Sequence, residues 1–417
     1  MLHNRLRLGV SMLYQLYEMQ RAGLAALGDL ARHGAEALRN PTNPFSYLPV
    51  AKPTQAALSV FAHATGVYEK PNFGIIETLV GDNRVAVTEE IVSSRPFCNL
   101  LRFARKDSDI GPKLLIVAPM SGHFATLLRD TVVRLLPSHD IYITDWANAR
   151  DVPISAGSFG LDDYIDYVIE FIHDLGPQTH VVAVCQPSVP VFAAMCLMAA
   201  RKDPLLPRSL TIMGGPIDPR QSPTLVNKAA TDRPFSWYQQ NVIHPVARPY
   251  AGAGRQVYPG FLQLTAFLSM NLGNHLQSHW TMFNHLSEGR LAEAEAMEDF
   301  YAEYRAVADL TAEFYLETID RVFQRHLLPK GELPYRDELI DPRALTDIAI
   351  LAIEGERDDI CGIGQSRAAL EIATNLPDRL KRYHLAKDAG HFGVFSGSRW
   401  RSQIAPVVED WIAANSL

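Results

Sequence analysis

Apolar residues recur at helical spacing over 9–38, with Leu13, Leu16, Tyr17, Leu24 and Leu27 on one side, until Asn40-Pro41-Thr42-Asn43-Pro44 stops the pattern. Such a stripe predicts a helix that packs on the body of the protein, the alternative being one that lies on a hydrophobic surface. A second helix is expected near 53–65, before Glu69-Lys70-Pro71. The period then changes. Segments 75–80 and 85–92 flank Gly81-Asp82-Asn83 and read as an antiparallel hairpin, with a third strand over 99–105.

From residue 114 onward, short apolar runs at 114–118, 141–144, 181–184, 210–213, 349–353 and 382–385 alternate with helical stretches such as 124–136, 161–175 and 187–201. That alternation predicts an α/β fold, a mostly parallel sheet with helices on both faces and antiparallel strands at its start. It lapses between about 219 and 340. The insert carries Trp237, Tyr238, Tyr250, Tyr258, Phe261, Phe267, Trp280 and Phe283, then an expected helical stretch from about 289 to 327. A long insert in a compact sheet is usually functional, so a cap is expected rather than a prop for the core. The chain thus divides into a helical N-terminal extension (1–70), a core in two parts (71–218 and 341–417) and a cap or lid (219–340).

Composition narrows the function classes. The 417 residues are 47% hydrophobic and 20% charged, ample for a large core. A net charge of −7 argues against a basic nucleic-acid groove. Cys98, Cys185, Cys196 and Cys361 are too widely spaced for a disulfide framework or a zinc pattern, which fits a reducing compartment. No signal-type run follows Met1 and no stretch reaches ~18 uninterrupted apolar residues, so a cytoplasmic protein without a transmembrane segment is expected.

Ligands of such sheets bind beyond the carboxyl ends of the strands, so the residues just after each run carry the candidate chemistry. Run 181–184 ends at Cys185, and an Ala- and Met-rich helical segment follows at once. Strand, sharp turn and helix make the nucleophile elbow of an α/β-hydrolase, usually G-x-S-x-G; here Ala183 and Pro187 stand at the two small-residue positions. A buried cysteine capping a core strand is the alternative on this stretch alone. After run 349–353 comes Glu354-Gly355-Glu356-Arg357-Asp358-Asp359-Ile360, where Asp358, with Asp359 second, is placed to orient a histidine. After run 382–385 comes Lys387-Asp388-Ala389-Gly390-His391-Phe392-Gly393, which offers His391 as general base. Nucleophile, acid, histidine is the chain order of this fold. His391 would take the Cys185 proton or hold a thiolate–imidazolium pair, and Asp358 would fix its tautomer. Oxyanion donors are expected from the backbone N–H of Gln186 and of Met120 or Ser121, in Pro119-Met120-Ser121-Gly122-His123. His123 is expected to shape this loop or touch the cap. The chemistry calls for no metal and no cofactor.

In combination, Val184-Cys185-Gln186-Pro187-Ser188-Val189-Pro190, Ala118-Pro119-Met120-Ser121-Gly122-His123, Gly355-Glu356-Arg357-Asp358-Asp359-Ile360 and Gly390-His391-Phe392-Gly393 resemble the intracellular poly(3-hydroxybutyrate) depolymerases. The resemblance covers nearly the whole chain, including Met12-Leu13-Tyr14-Gln15-Leu16-Tyr17-Glu18. It implies an α/β-hydrolase that degrades stored polyester on amorphous granules inside bacteria, with Cys185 as nucleophile, Asp358 as acid and His391 as base. Polyhydroxyalkanoate synthases are similar in using a cysteine in this fold, but their turn keeps the flanking glycines. The expected reaction is ester hydrolysis to 3-hydroxybutyrate monomers or oligomers, with Trp237 and Trp280 of the cap binding the apolar polymer. A synthase-like or coenzyme A-dependent acyltransferase and a non-catalytic granule protein are the alternatives. The expected partner is the granule surface, not nucleic acid, and a homodimer is left open.

Overall fold

In the computed structural model, which describes residues 2–106, 111–270 and 272–416, one nine-stranded sheet organises the chain. Its strands are β1 (Glu77–Val80), β2 (Asn83–Arg95), β3 (Cys98–Arg105), β4 (Lys113–Val117), β5 (Asp140–Trp146), β6 (Thr179–Val184), β7 (Ser209–Met213), β8 (Ala349–Gly355) and β9 (Lys381–Ala386). They lie in the order β1-β2-β3-β5-β4-β6-β7-β8-β9. The first three strands and β5 pair antiparallel, and from β5 to β9 every pairing is parallel. This is the α/β-hydrolase sheet with one extra hairpin strand at its edge.

The central strands are covered on both faces, which is why they read as unbroken apolar runs rather than alternating ones. Leu114, Leu115, Ile116 and Val117 are all fully buried, as are Val181, Val182, Ala183 and Val184. Helix α4, Leu161–Leu175, turns Leu161, Tyr164, Ile165, Val168, Phe171, Ile172 and Leu175 inward and stops at Gly176, whose φ is 77°. Helix α5, Ser188–Ala200, is apolar on all sides and is buried from Ser188 to Met198. The expected helix over 124–136 is a single 3₁₀ turn, Ala125–Leu128, running into α3, Arg129–Leu135.

Helices α1 (Leu2–Arg39) and α2 (Ala51–Thr65) precede the sheet. Helix α1 is two-sided. Tyr14, Ala31 and Ala35 are buried, whereas Leu13, Leu16, Met19, Leu27 and Leu30 are exposed. The chain between β7 and β8 contributes α6 (Leu225–Thr231), α7 (Phe235–Asn241), α8 (Gly260–Met270), α9 (Leu272–Glu288) and α10 (Leu291–Arg305). Ala56 and Val60 of α2 pack on Met282, Leu286, Ala294 and Tyr301 of α9 and α10, so the N-terminal helices rest on the inserted helices.

The helix expected over 289–327 is broken. Helix α10 stops at Arg305, Leu310–Thr311 pairs with Val257 and Tyr258, and helix resumes only at Ala312. Long-range bonds win over the local period here. The buried Asp309 carboxylate accepts the Tyr14 hydroxyl (2.5 Å) and the Gly260 N–H (2.9 Å), and its backbone N–H donates to Asn148 Oδ1 (3.0 Å). Among the described residues no helix is long and apolar enough to cross a membrane.

Candidate active site

Strand β6 delivers Cys185 at its carboxyl end with φ 66°, a left-handed conformation that costs a non-glycine residue about 1–2 kcal/mol. The surroundings hold it there. Its N–H donates to Met213 O (2.7 Å), extending the β6–β7 pairing, and the Ser188 N–H returns to Cys185 O (3.1 Å), starting α5. Close approach of the neighbouring strand end is allowed by Gly214 and Gly215, since a Cβ at Gly215 would overlap Ser188 Oγ. Small residues thus lie beside the turn in space, although Ala183 and Pro187 replace the glycines within it. Cys98, Cys196 and Cys361 are buried, whereas Cys185 is partly accessible and lies just before the N-terminus of α5.

The loops after β8 and β9 bring Asp358 and His391 together. Asp358 Oδ2 lies 2.8 Å from His391 Nδ1, and Oδ1 accepts the N–H groups of Ile360 (2.9 Å) and Cys361 (2.8 Å). The Asp358 side chain is fully enclosed, while Asp359 is exposed. Glu354, fully buried at the end of β8, accepts N–H groups of Gly364, Ser366 and Arg367 and the Tyr383 hydroxyl, and so braces the loop behind Asp358. Gly214 packs under the pair, a Cβ there falling 3.3 Å from Asp358 Oδ2 and 3.4 Å from His391 Cε1. Burial disfavours a charged His391. The Asp358 carboxylate, with the Cys185 sulfur nearby, outweighs burial and raises its pKa well above 6.5.

The loop after β4 lies against the same turn. The Met120 N–H donates to Gln186 Oε1 (3.1 Å), tying the two segments expected to supply oxyanion donors. Ser121 and Gln186 are both partly exposed at this junction. His123 is buried, and its Nε2 lies 3.1 Å from Tyr304 O of α10; burial pushes its pKa down to about 4, so it is a neutral donor to that carbonyl. Ala308 N–H donates to Gly122 O (2.6 Å), and Val307 pairs with His123 as an isolated bridge. The inserted segment is therefore bonded directly to this loop.

Tyr304 also approaches Phe392, next to His391, and stacks on Phe300. Gln263 of α8 packs against Gly122. Neither Tyr304 nor Gln263 stood out in the sequence, although Phe300, Tyr301 and Tyr304 share a helical face at spacings of three and four. Trp237 packs on Tyr238 and under Arg233, and Trp280 stacks on Phe283. No ring contact among the described residues joins either tryptophan to Cys185, Asp358 or His391. Trp280 is 64% exposed, in a surface row with the exposed Leu272 and Leu276 on α9.

Residues 214–416, which carry β8, β9, Asp358 and His391, match the family described as PHB de-polymerase C-terminus. That match covers just under half of the chain and leaves Cys185 outside it. No curated protein matches in sequence. Solved structures similar to the chain include the meta-cleavage product hydrolase from Pseudomonas fluorescens IP01 (13% identity, 79% of this chain and 98% of that one, TM-score 0.43). A monoacylglycerol lipase from Paleococcus ferrophilus is also similar (11% identity, 73% and 97%, TM-score 0.43), as is a thermophilic esterase from Thermogutta terrifontis (12% identity, 82% and 98%, TM-score 0.41). The strand order and the elbow, rather than these likenesses, make the chain an α/β-hydrolase.

Proposed function

We propose that this α/β-hydrolase is a poly(3-hydroxybutyrate) depolymerase, cleaving ester bonds of the polymer in amorphous cytoplasmic granules through Cys185, His391 and Asp358. One observation supports the reading: a partly accessible cysteine held at a left-handed elbow lies beside a histidine that is itself bonded to an enclosed aspartate. The Cys185 thiolate attacks an ester carbonyl carbon, and the new C–S bond pushes the electron pair onto oxygen. Backbone N–H groups of Gln186 and of Ser121 or Met120 hold that oxyanion, Met120 after the Gln186 side chain turns away. His391 gives its proton to the departing hydroxyl-terminated fragment as the C–O bond breaks, leaving a thioester. Water, deprotonated by His391, then releases the acid and restores the thiol.

The exposed apolar residues of α1 and the Leu272, Leu276 and Trp280 row of α9 support a substrate met as a surface. Release of soluble 3-hydroxybutyrate from amorphous granules tests the reading. Wild-type chain should release it without coenzyme A, and Cys185→Ala should lower the rate by about 10³-fold or more. Release that needs coenzyme A would make the protein an acyltransferase, and granule binding unchanged by Cys185→Ala with no release by either form would make it a coat protein.

A further inference from the structure

A cavity of about 320 Å³ lies between α1, α8, the end of α2 and the strand that follows α10, and shares no residue with Cys185, Asp358, His391 or the Pro119–His123 loop. Three arginines line it, Arg21, Arg150 and Arg305, against two carboxylates, Glu18 and Asp309. Both carboxylates are engaged within the protein. Glu18 takes Arg21 (2.7 Å) and the Tyr250 hydroxyl (2.8 Å), and Asp309 takes the Tyr14 hydroxyl and the Gly260 N–H. Arg150 sits 4.5 Å from the Tyr250 ring centre and 3.8 Å from Asp151.

Arg305 has no carboxylate within 4 Å among the described residues. It donates to the carbonyls of His63 and Ala64 and lies 3.5 Å from His279 Nε2. The Nε atoms of Arg21, Arg150 and Arg305 are all enclosed without an acceptor. Arg21 has Glu18 and Arg150 has Asp151 within 4 Å, so Arg305 is the one of the three arginines left without a carboxylate of its own, and a half-buried guanidinium lacking a counter-ion is costly. The rest of the wall mixes apolar and neutral polar groups: Phe261 stacks on Tyr17 (3.8 Å) beside Leu24, Val67 and Leu264, with Gln20 and Thr65 among them. A single carboxylate on a short aliphatic body satisfies both halves of this lining; a polyphosphate would bring more charge than the wall can balance.

We infer that this cavity binds the carboxylate of a short hydroxyalkanoate chain, with Arg305 as its counter-ion. The identity of the ligand rests on the proposed polyester hydrolysis, because each ester cut creates one carboxylate. That carboxylate comes either from released hydroxy acid or from the end of a polymer chain. The cavity is joined to the loop after β4, since Val307 both lines it and pairs with His123.

Titration calorimetry on full-length Cys185→Ala chain tests this with 3-hydroxybutyrate, its linear trimer with a free carboxyl, the trimer methyl ester and inorganic phosphate. The acids should bind, with the methyl ester about tenfold weaker or worse, and Arg305→Met should weaken the acids by about tenfold while leaving the ester unchanged. Trimer binding tighter than monomer would identify the chain end, and equal affinity the released acid. If Arg305→Met melts early, Arg21→Gln probes the same wall from α1 and should weaken the acids in the same sense. Equal binding of acid and methyl ester, phosphate binding as tight as the acid, or no effect of either variant would overturn the inference. Granule release by the wild-type chain reads the hydrolytic function separately. Acid binding without release keeps the cavity and removes the polyester reading; release without acid binding does the reverse.

Discussion

Asp358 and Asp359 are adjacent in sequence and opposite in surroundings. Asp358 is enclosed and spends one oxygen on two backbone N–H groups and the other on His391, while Asp359 faces solvent. Asp358→Asn should lower kcat on a soluble ester by about 10²–10⁴-fold by losing the anion that stabilises imidazolium, whereas Asp359→Asn should stay within about twofold. Steady-state kinetics on both variants checks this, and comparable losses would move the role to the loop as a whole. The sequence could place these residues because strand ends and chain order are local signals. It could not show that Gly214 and Gly215 provide the space beside the elbow, because their contacts with Asp358, His391 and Ser188 cross from one strand end to others. Nor could it show that the Met120 N–H meets the Gln186 side chain, a contact between residues 66 positions apart.

At the scale of elements, helix α1 packs on the body along one side, as its apolar period predicts, and leaves apolar residues exposed along the other. One side is buried through Tyr14, Ala31 and Ala35, and Leu16, Met19, Leu27 and Leu30 remain in water. Leu16→Glu with Leu30→Glu should weaken sedimentation with amorphous granules by about tenfold or more and leave kcat/KM for a soluble ester unchanged, since each buried leucine is worth ~1.5–3 kcal/mol. Trp280→Ala should likewise reduce polymer turnover more than soluble-ester turnover; equal losses would mean that Trp280 only supports the fold. The sheet was legible almost strand by strand because its buried runs are continuous. The stretch 289–327 was not, because its interruption at 306–311 depends on partners from Tyr14, Gly122, Asn148 and Tyr258, which no local period records.

For the whole molecule, the buried histidines set the response to acid. Burial lowers His123 and His180 to about 4, so the unfolded chain takes up protons below about pH 6.5 that the folded chain refuses. Unfolding free energy should therefore fall between about pH 6.5 and 4, by on the order of 2 kcal/mol for each of these groups at pH 4.5, and urea titrations at pH 7 and 4.5 measure it. His391 acts in the opposite direction: its raised pKa gives stability that is fully present below about 6.5 and lost as pH rises through the folded value. His123→Gln should flatten the acid slope by about one proton. The same histidine belongs to the seam in which Ala308 N–H meets Gly122 O and His123 meets Tyr304 O. A seam of this kind makes the inserted segment and the loop before Phe124 one mechanical piece. If that segment swung wide it would carry the Met120–Ser121 loop with it, so, on the proposed polyester hydrolysis, a polymer strand would be admitted by threading edgewise beneath a seated segment rather than by lifting it.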